Sequence, residues 1–150
     1  SSSTAFSDFH SQSHIVVGPS PGTAKADTEV LVTFYKRYYP EASISVCSST
    51  EAESMKLFGN CFYATKIQFF NELYAVCQKI DCDYEAVRSL MLKNNWINPM
   101  HTKVPGPDGQ LSYGGQCFPK DTKTLLAYMQ RLQSPSAVME AVVKEREEMR

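Results

Sequence analysis

The run from Ser49 to Ile80, STEAESMKLFGNCFYATKIQFFNELYAVCQKI, decides the architecture. It holds no proline and one glycine, Gly59, so nothing in it breaks a helix. Roughly 30 residues at 1.5 Å each make a helix about 45 Å long. Apolar residues such as Leu57, Phe58, Phe62, Phe69, Phe70, Val76 and Ile80 go nearly all the way round it. A helix apolar on more than one face has to be covered on more than one face. A chain of 150 residues has little to cover it with, which predicts a homodimer formed through this helix. Ser49 or Thr50 can cap its start, with Glu53 three residues after Thr50 as the far half of a capping box.

Upstream, His14 to Gly18 (HIVVG) reads as a short strand closed by a Gly-Pro-Ser-Pro-Gly turn. Thr23 can cap a helix from Ala24 to Tyr39, which Pro40 stops, and Ile44, Val46 and Cys47 make a second strand. Strand, helix, strand is half of an α/β unit, too small to bury both faces of its own sheet, so more of that unit is expected upstream. Downstream, Asp83 caps a shorter helix to about Leu92. Lys93 to Lys120, with Pro99, Pro105, Pro107, Pro119 and several glycines, reads as a long loop, and loops of that length are usually functional or disordered. Asp121 or Thr122 opens a helix to about Leu132, Ser134-Pro135 interrupts, and a last helix runs into KEREEMR. The expected fold is mainly α, with a small α/β part of about two strands at the N-terminal side.

Composition excludes several classes of partner. Hydrophobic content of 43% and charged content of 21% describe an ordinary globular chain. A formal charge of -1 supplies no field to draw in nucleic acid or an anionic membrane. No stretch of about 18 or more apolar residues runs uninterrupted. The opening SSSTAFSDFHSQ has neither the basic nor the apolar region of a signal peptide, so a cytoplasmic location is the default expectation. His10, His14 and His101 are not spaced as metal ligands, no Cys-x-x-Cys pair occurs, and no metal is expected. The odd cysteine count argues against a disulfide framework, and Cys61 and Cys77 read as small hydrophobes of the long helix.

Two places could carry chemistry. Tyr113-Gly114-Gly115-Gln116-Cys117-Phe118-Pro119-Lys120-Asp121 sets a cysteine just after two glycines and just before a helix start. Free N–H groups and the helix dipole there favour negative charge, and Lys120 lies close in sequence. On residues alone Cys117 reads equally well as a nucleophile or as a buried thiol after a Gly-Gly turn. On the long helix, Lys56 and Asn60 stand four residues apart and share a face. They read either as a solvated stripe or as polar groups with a partner.

The stretch MKLFGNCFYATKIQFFNE (Met55 to Glu72), followed by YGGQCFPKDT (Tyr113 to Thr122), resembles two linked signatures of the nucleotide-sugar 6-dehydrogenases of the UDP-glucose/GDP-mannose type. Those signatures read K-L-x-x-N-x-x-x-A-x-K-I-x-x-x-N-E and G-[FY]-G-G-x-C-[FL]-x-K-D. Both occur here in order, nearly complete and at the expected separation. The resemblance implies that residues 1–48 are the end of an NAD-binding Rossmann domain and residues 49–150 the helical dimerisation domain. It implies four-electron oxidation of a sugar C6 alcohol to a carboxylate, with UDP-glucose the favoured substrate. Cys117 would form a thiohemiacetal and then a thioester, while two NAD⁺ accept the hydrides. Lys56 would stabilise the oxyanion, Asn60 would orient an active-site water or oxygen, and Asp121 would position the hydrolytic water. Tyr113 and Gly114 would line the sugar site, with Lys120 on the cofactor side.

Departures accompany the match. Ser112 stands where the signature has its first glycine, and the loop Met100 to Leu111 is longer than in shorter family members. A P-E-F-L-x-E-G motif would fall just before or at residue 1, with Ser2 in place of its second glutamate, and no G-x-G-x-x-G is present. The chain is therefore expected to be a segment of a larger enzyme, inactive alone. A non-catalytic module that pairs with a full-length subunit, and a cysteine enzyme working without NAD, remain the alternatives.

Overall fold

The computed structural model describes residues 11–150, so the reading of Ser1–Phe6 and His10 lies outside the described residues. The elements run β1 (His14–Val17), α1 (Lys25–Tyr38), β2 (Ser43–Val46), α2 (Ser49–Lys79), α3 (Tyr84–Leu92), α4 (Cys117–Arg131) and α5 (Ala137–Met149). The chain divides into two compact units, one ending at Lys56 and the other spanning Leu57–Arg150. The division falls inside α2.

In the first unit β1 and β2 pair in parallel, with Ile15 opposite Ile44 and Val17 opposite Val46. Parallel neighbours need a crossover, and α1 is that crossover. Thr23 does not cap α1; Ala24 holds the position and offers no side-chain oxygen. No residue of α1 is buried, and Val30, Phe34 and Tyr38 lie half or more exposed. In a complete α/β unit such a face is covered by the sheet and its neighbours. The capping box of α2 also sits elsewhere than expected. Ser48, not Ser49 or Thr50, is the cap: its Oγ accepts from the Glu51 N–H (3.2 Å), and the Glu51 carboxylate accepts from the Ser48 N–H and hydroxyl (2.7 Å each). These bonds hold the Glu51 carboxyl below its ordinary value. Cys47 still donates its N–H to Val17 in the sheet, so the chain first becomes free to turn at Ser48.

In the second unit α2 has two unlike faces. Asn60, Cys61, Ala64, Gln68 and Asn71 point inward, all but Asn60 fully buried. At 100° per residue Phe58, Phe62, Phe69, Val76 and Ile80 fall within about 40° of one another on the opposite side, and each is more than half exposed. One core joins the inward face to α4 and α5 through Cys61, Ala64, Tyr113, Leu125, Met139 and Val142. A second joins the C-terminal half of α2 to α3 through Phe70, Cys77 and Tyr84. Asp83 caps α3 as expected, accepting from the Glu85 N–H at 2.9 Å. Within α3, Arg88 is 8% exposed. It is held by Glu85 and donates to the Thr102 hydroxyl at 3.0 Å, which ties the long loop to the helix. Among the described residues no helix is long and apolar enough to cross a membrane.

Candidate active site

The Cys117 loop and its following helix differ from the sequence expectation in one respect that matters. Helix α4 begins at Cys117 itself, not at Asp121 or Thr122. Pro119 falls in its first turn, where a missing N–H costs no helical hydrogen bond. Cys117 therefore occupies the first position of a 15-residue helix, with free N–H groups around it. Gly115 precedes it at φ +74°, a conformation that favours glycine.

Of the five cysteines, all free, Cys117 alone is exposed; Cys61 and Cys77 are buried, and Cys47 and Cys82 are intermediate. Burial, followed by the nearby Asp121 charge, pushes the Cys61 thiol up to about 11. That leaves Cys61 an inert thiol near neutral pH, while Cys117 is open to reagents.

Asp121 lies one turn after Cys117, on the same face of α4. Its Oδ2 accepts from Asn60 Nδ2 at 2.6 Å. Its Oδ1 pairs with Lys120 Nζ at 3.2 Å, the lysine side chain being 71% exposed and the aspartate 12%. Residues 60 and 121 come from the two separate sequence signatures, and this hydrogen bond joins them. Lys56 is exposed on α2, four residues before Asn60.

Tyr113 is placed deeper than a residue presenting its hydroxyl to a ligand. Its ring is 1% exposed, and its hydroxyl lies 3.2 Å from Thr122 Oγ1 and 3.4 Å from the Val142 carbonyl, to which it donates. Arg146 donates to the Tyr113 carbonyl at 3.1 Å and its guanidinium sits over the ring. Gly114 is closely approached by the Arg150 guanidinium. Beside this loop a cavity of about 790 Å³ is bordered by Arg88, His101, Lys103, Gly114, Gly115 and Phe118, with Tyr113 at its edge and Cys117 not in its lining. His101 Nδ1 is buried there without a hydrogen-bond partner. Burial, and then the Lys66 charge, depress its basicity below 6.5. Sequence reasoning passed over His101 and Arg88; the one signal was a charged residue on the inward side of α3.

A family model described as the UDP-glucose/GDP-mannose dehydrogenase family, central domain, matches residues 50–147. The chain belongs to this family. It is 31% identical over 143 residues to the UDP-glucose 6-dehydrogenase YwqF of Bacillus subtilis, covering 95% of this chain and 30% of that protein. Against the UDP-glucose 6-dehydrogenase of Rhizobium meliloti it is 32% identical over 141 residues, covering 93% and 31%. Its fold matches a UDP-glucose dehydrogenase from the hyperthermophilic archaeon Pyrobaculum islandicum with a TM-score of 0.81 at 28% identity, covering 95% of this chain and 31% of that one. The chain thus spans about 30% of the length of the relatives it matches. These relatives are oxidoreductases by name, and the mainly helical architecture of this chain, with its two-stranded parallel sheet, matches the covered part of the Pyrobaculum protein.

The family implies a nicotinamide dinucleotide, and the cavity of the α/β unit does not by itself fit one. The cavity beside β1, about 350 Å³, is bordered by Val16, Val17, Gly18, Leu31 and Tyr35, and its one charge is the acidic Asp27. A pyrophosphate needs a glycine-rich turn and cationic or N–H donors, which this lining lacks.

Proposed function

We propose that this chain is the thiol-bearing central segment of an NAD-dependent UDP-sugar 6-dehydrogenase that converts UDP-glucose to UDP-glucuronate. The observation that carries the reading is the Asn60–Asp121 hydrogen bond, which joins the two family signatures one helical turn from the exposed thiol of Cys117. In this reading the C6 alcohol first loses a hydride to NAD⁺ and its hydroxyl proton to give the aldehyde, and the Cys117 sulfur adds to that aldehyde to give a thiohemiacetal. Loss of a second hydride leaves a thioester, and water attacks it to release the carboxylate and the thiol. NAD⁺ would serve as hydride acceptor, held mainly by residues other than those described. Asp121, its carboxylate oriented by Asn60, positions the hydrolytic water. Lys56 and the N–H groups at the start of α4 stabilise the oxyanion. Gly114 borders the sugar, Tyr113 shapes that border from the core, and Lys120 lies on the cofactor side.

Residues 1–48 belong in this account to the dinucleotide domain and 49–150 to the helical domain; the chain alone is inactive, and the enzyme is cytoplasmic. It is also a homodimer, in which the exposed stripe Phe58, Phe62, Phe69, Val76 and Ile80 meets the same stripe of a second copy. A contiguous apolar patch of this kind marks an interface. That stripe equally supports a module that pairs with a full-length subunit without catalysis.

The test is segment replacement. Residues 14–147 take the place of the matching segment of the Bacillus relative, and NADH is followed with UDP-glucose and NAD⁺. Two NADH per sugar, lost on Cys117→Ser with dimerisation retained, supports the enzyme reading. A dimer that makes no NADH with Cys117 intact favours the non-catalytic module.

A further inference from the structure

Ser112 is a non-glycine residue at φ 57°, in the left-handed region where side chains are strained. It is 4% exposed, and every polar group it has is engaged. Its N–H donates to Asn71 Oδ1 at 2.8 Å, its hydroxyl donates to Gln68 Oε1 at 2.5 Å, and its carbonyl accepts from Arg150 at 3.5 Å. Asn71 is itself fixed by donating to the Ile67 carbonyl at 2.8 Å. Gln68 is 1% exposed and Asn71 3%. Buried amides on an otherwise apolar helix face are retained at a cost unless they are satisfied; here Gln68 Nε2 donates to Met149 Sδ at 3.1 Å, and both amide oxygens are taken by a loop more than 40 residues away in sequence.

The inward face of α2 thus holds the Cys117 segment at two points. Asn60 grips it at Asp121; Gln68 and Asn71 grip it at Ser112. Asn60 and Asn71 are about 16 Å apart along the axis at 1.5 Å per residue. Cys117 and the left-handed Gly115 lie between the two grips.

We propose that Gln68 and Asn71 are positioning residues: by locking the strained turn at Ser112 they set the backbone that places Cys117 at the start of α4. Neither residue touches the thiol. Gln68 is specific to a serine at position 112, because its oxygen takes the hydroxyl, whereas a glycine there would adopt the same φ without strain and need no such anchor. The two positions are therefore coupled. The consequence for turnover rests on Cys117 being the reacting thiol; the coupling itself does not.

The experiment is a double-mutant cycle on the 150-residue chain, with Gln68→Ala and Ser112→Gly alone and together. It is read as the rate at which iodoacetamide alkylates each cysteine under native conditions, resolved by peptide mass spectrometry. The expected result is that Gln68→Ala slows Cys117 at least threefold, and that the same change costs less than half as much when residue 112 is glycine. Cys47, in the other unit, keeps its rate and serves as the reference. Gln68→Met, which keeps the volume, guards against simple loss of packing and is expected to behave as Gln68→Ala does. Equal slowing in both backgrounds, no change at Cys117, or parallel changes at Cys47 would overturn the proposal. In the segment-replaced enzyme the same cycle is expected in kcat, with KM for UDP-glucose within twofold. Coupling in alkylation but none in kcat would leave the positioning intact and count against Cys117 as the reacting group.

Discussion

Replacing Asn60 by alanine tests the bond on which the site is built. Asn60 Nδ2 donates to a carboxylate whose side chain is only 12% exposed, at 2.6 Å. Removing a hydrogen bond to a charged, largely buried group costs about 1.5–3 kcal/mol. For a chain of this length each kcal/mol moves the melting temperature by roughly 2–4 °C, so Asn60→Ala is expected to melt about 3–12 °C lower at pH 7. Lys120 contacts the same carboxylate from a side chain that is 71% exposed. Such a pair contributes about 0–1 kcal/mol, and Lys120→Ala is expected to melt within about 4 °C of the parent. Asn60→Asp adds a sign test. Two carboxylates in contact raise the carboxyl value above that of the unfolded chain, so this variant keeps its stability below the unfolded value and loses it as pH rises through the folded one. Its deficit against Asn60→Ala should be larger at pH 8 than at pH 5. Circular dichroism melts of the three variants decide the matter. Equal effects of Asn60→Ala and Lys120→Ala, or less than 1 °C for Asn60→Ala, would refute the reasoning.

Three further outcomes follow from other contacts. Partial burial, and then the Lys66 charge, hold the His101 imidazole below its ordinary value in the folded chain, so its contribution is complete above the unfolded value and is lost as pH falls toward the folded one; urea midpoints between pH 7.5 and 5.5 should fall more for the parent than for His101→Phe. Thr102 is fully buried, accepting from Arg88 and donating to the Pro99 carbonyl, so Thr102→Val should cost about 2 kcal/mol in chemical denaturation. Phe62→Glu with Phe69→Glu places charge on the exposed stripe of α2 and should convert a dimer to a monomer by light scattering, with the helical circular dichroism unchanged.

Much of this fold is legible in the residues because its signals are local. The uninterrupted run from Ser49, the Asp83 cap and the β-branched runs each act within one element. The errors have causes of both kinds, tertiary and local. Ser48-x-x-Glu51 and Thr50-x-x-Glu53 are equally good capping boxes by spacing, and what separates them is the sheet bond from Cys47 to Val17, a tertiary fact. Pro119 reads as loop although the first turn of a helix tolerates it. The site is legible at Cys117, Asn60 and Asp121 through resemblance, but the grip of Gln68 and Asn71 on Ser112 is not, since nothing in a sequence pairs residues 44 and 41 apart. The available sign was two amides on the wheel face that also carries Cys61 and Ala64.

The central claim is that Cys117 forms a thioester with the oxidised sugar. It is tested most directly by acid-quenching the segment-replaced enzyme during turnover of UDP-glucose and NAD⁺ and mapping adducts by peptide mass spectrometry. The account predicts a hydroxylamine-labile sugar-nucleotide adduct on the peptide that carries Cys117. Turnover with no adduct there, or with the adduct on another cysteine, would contradict it.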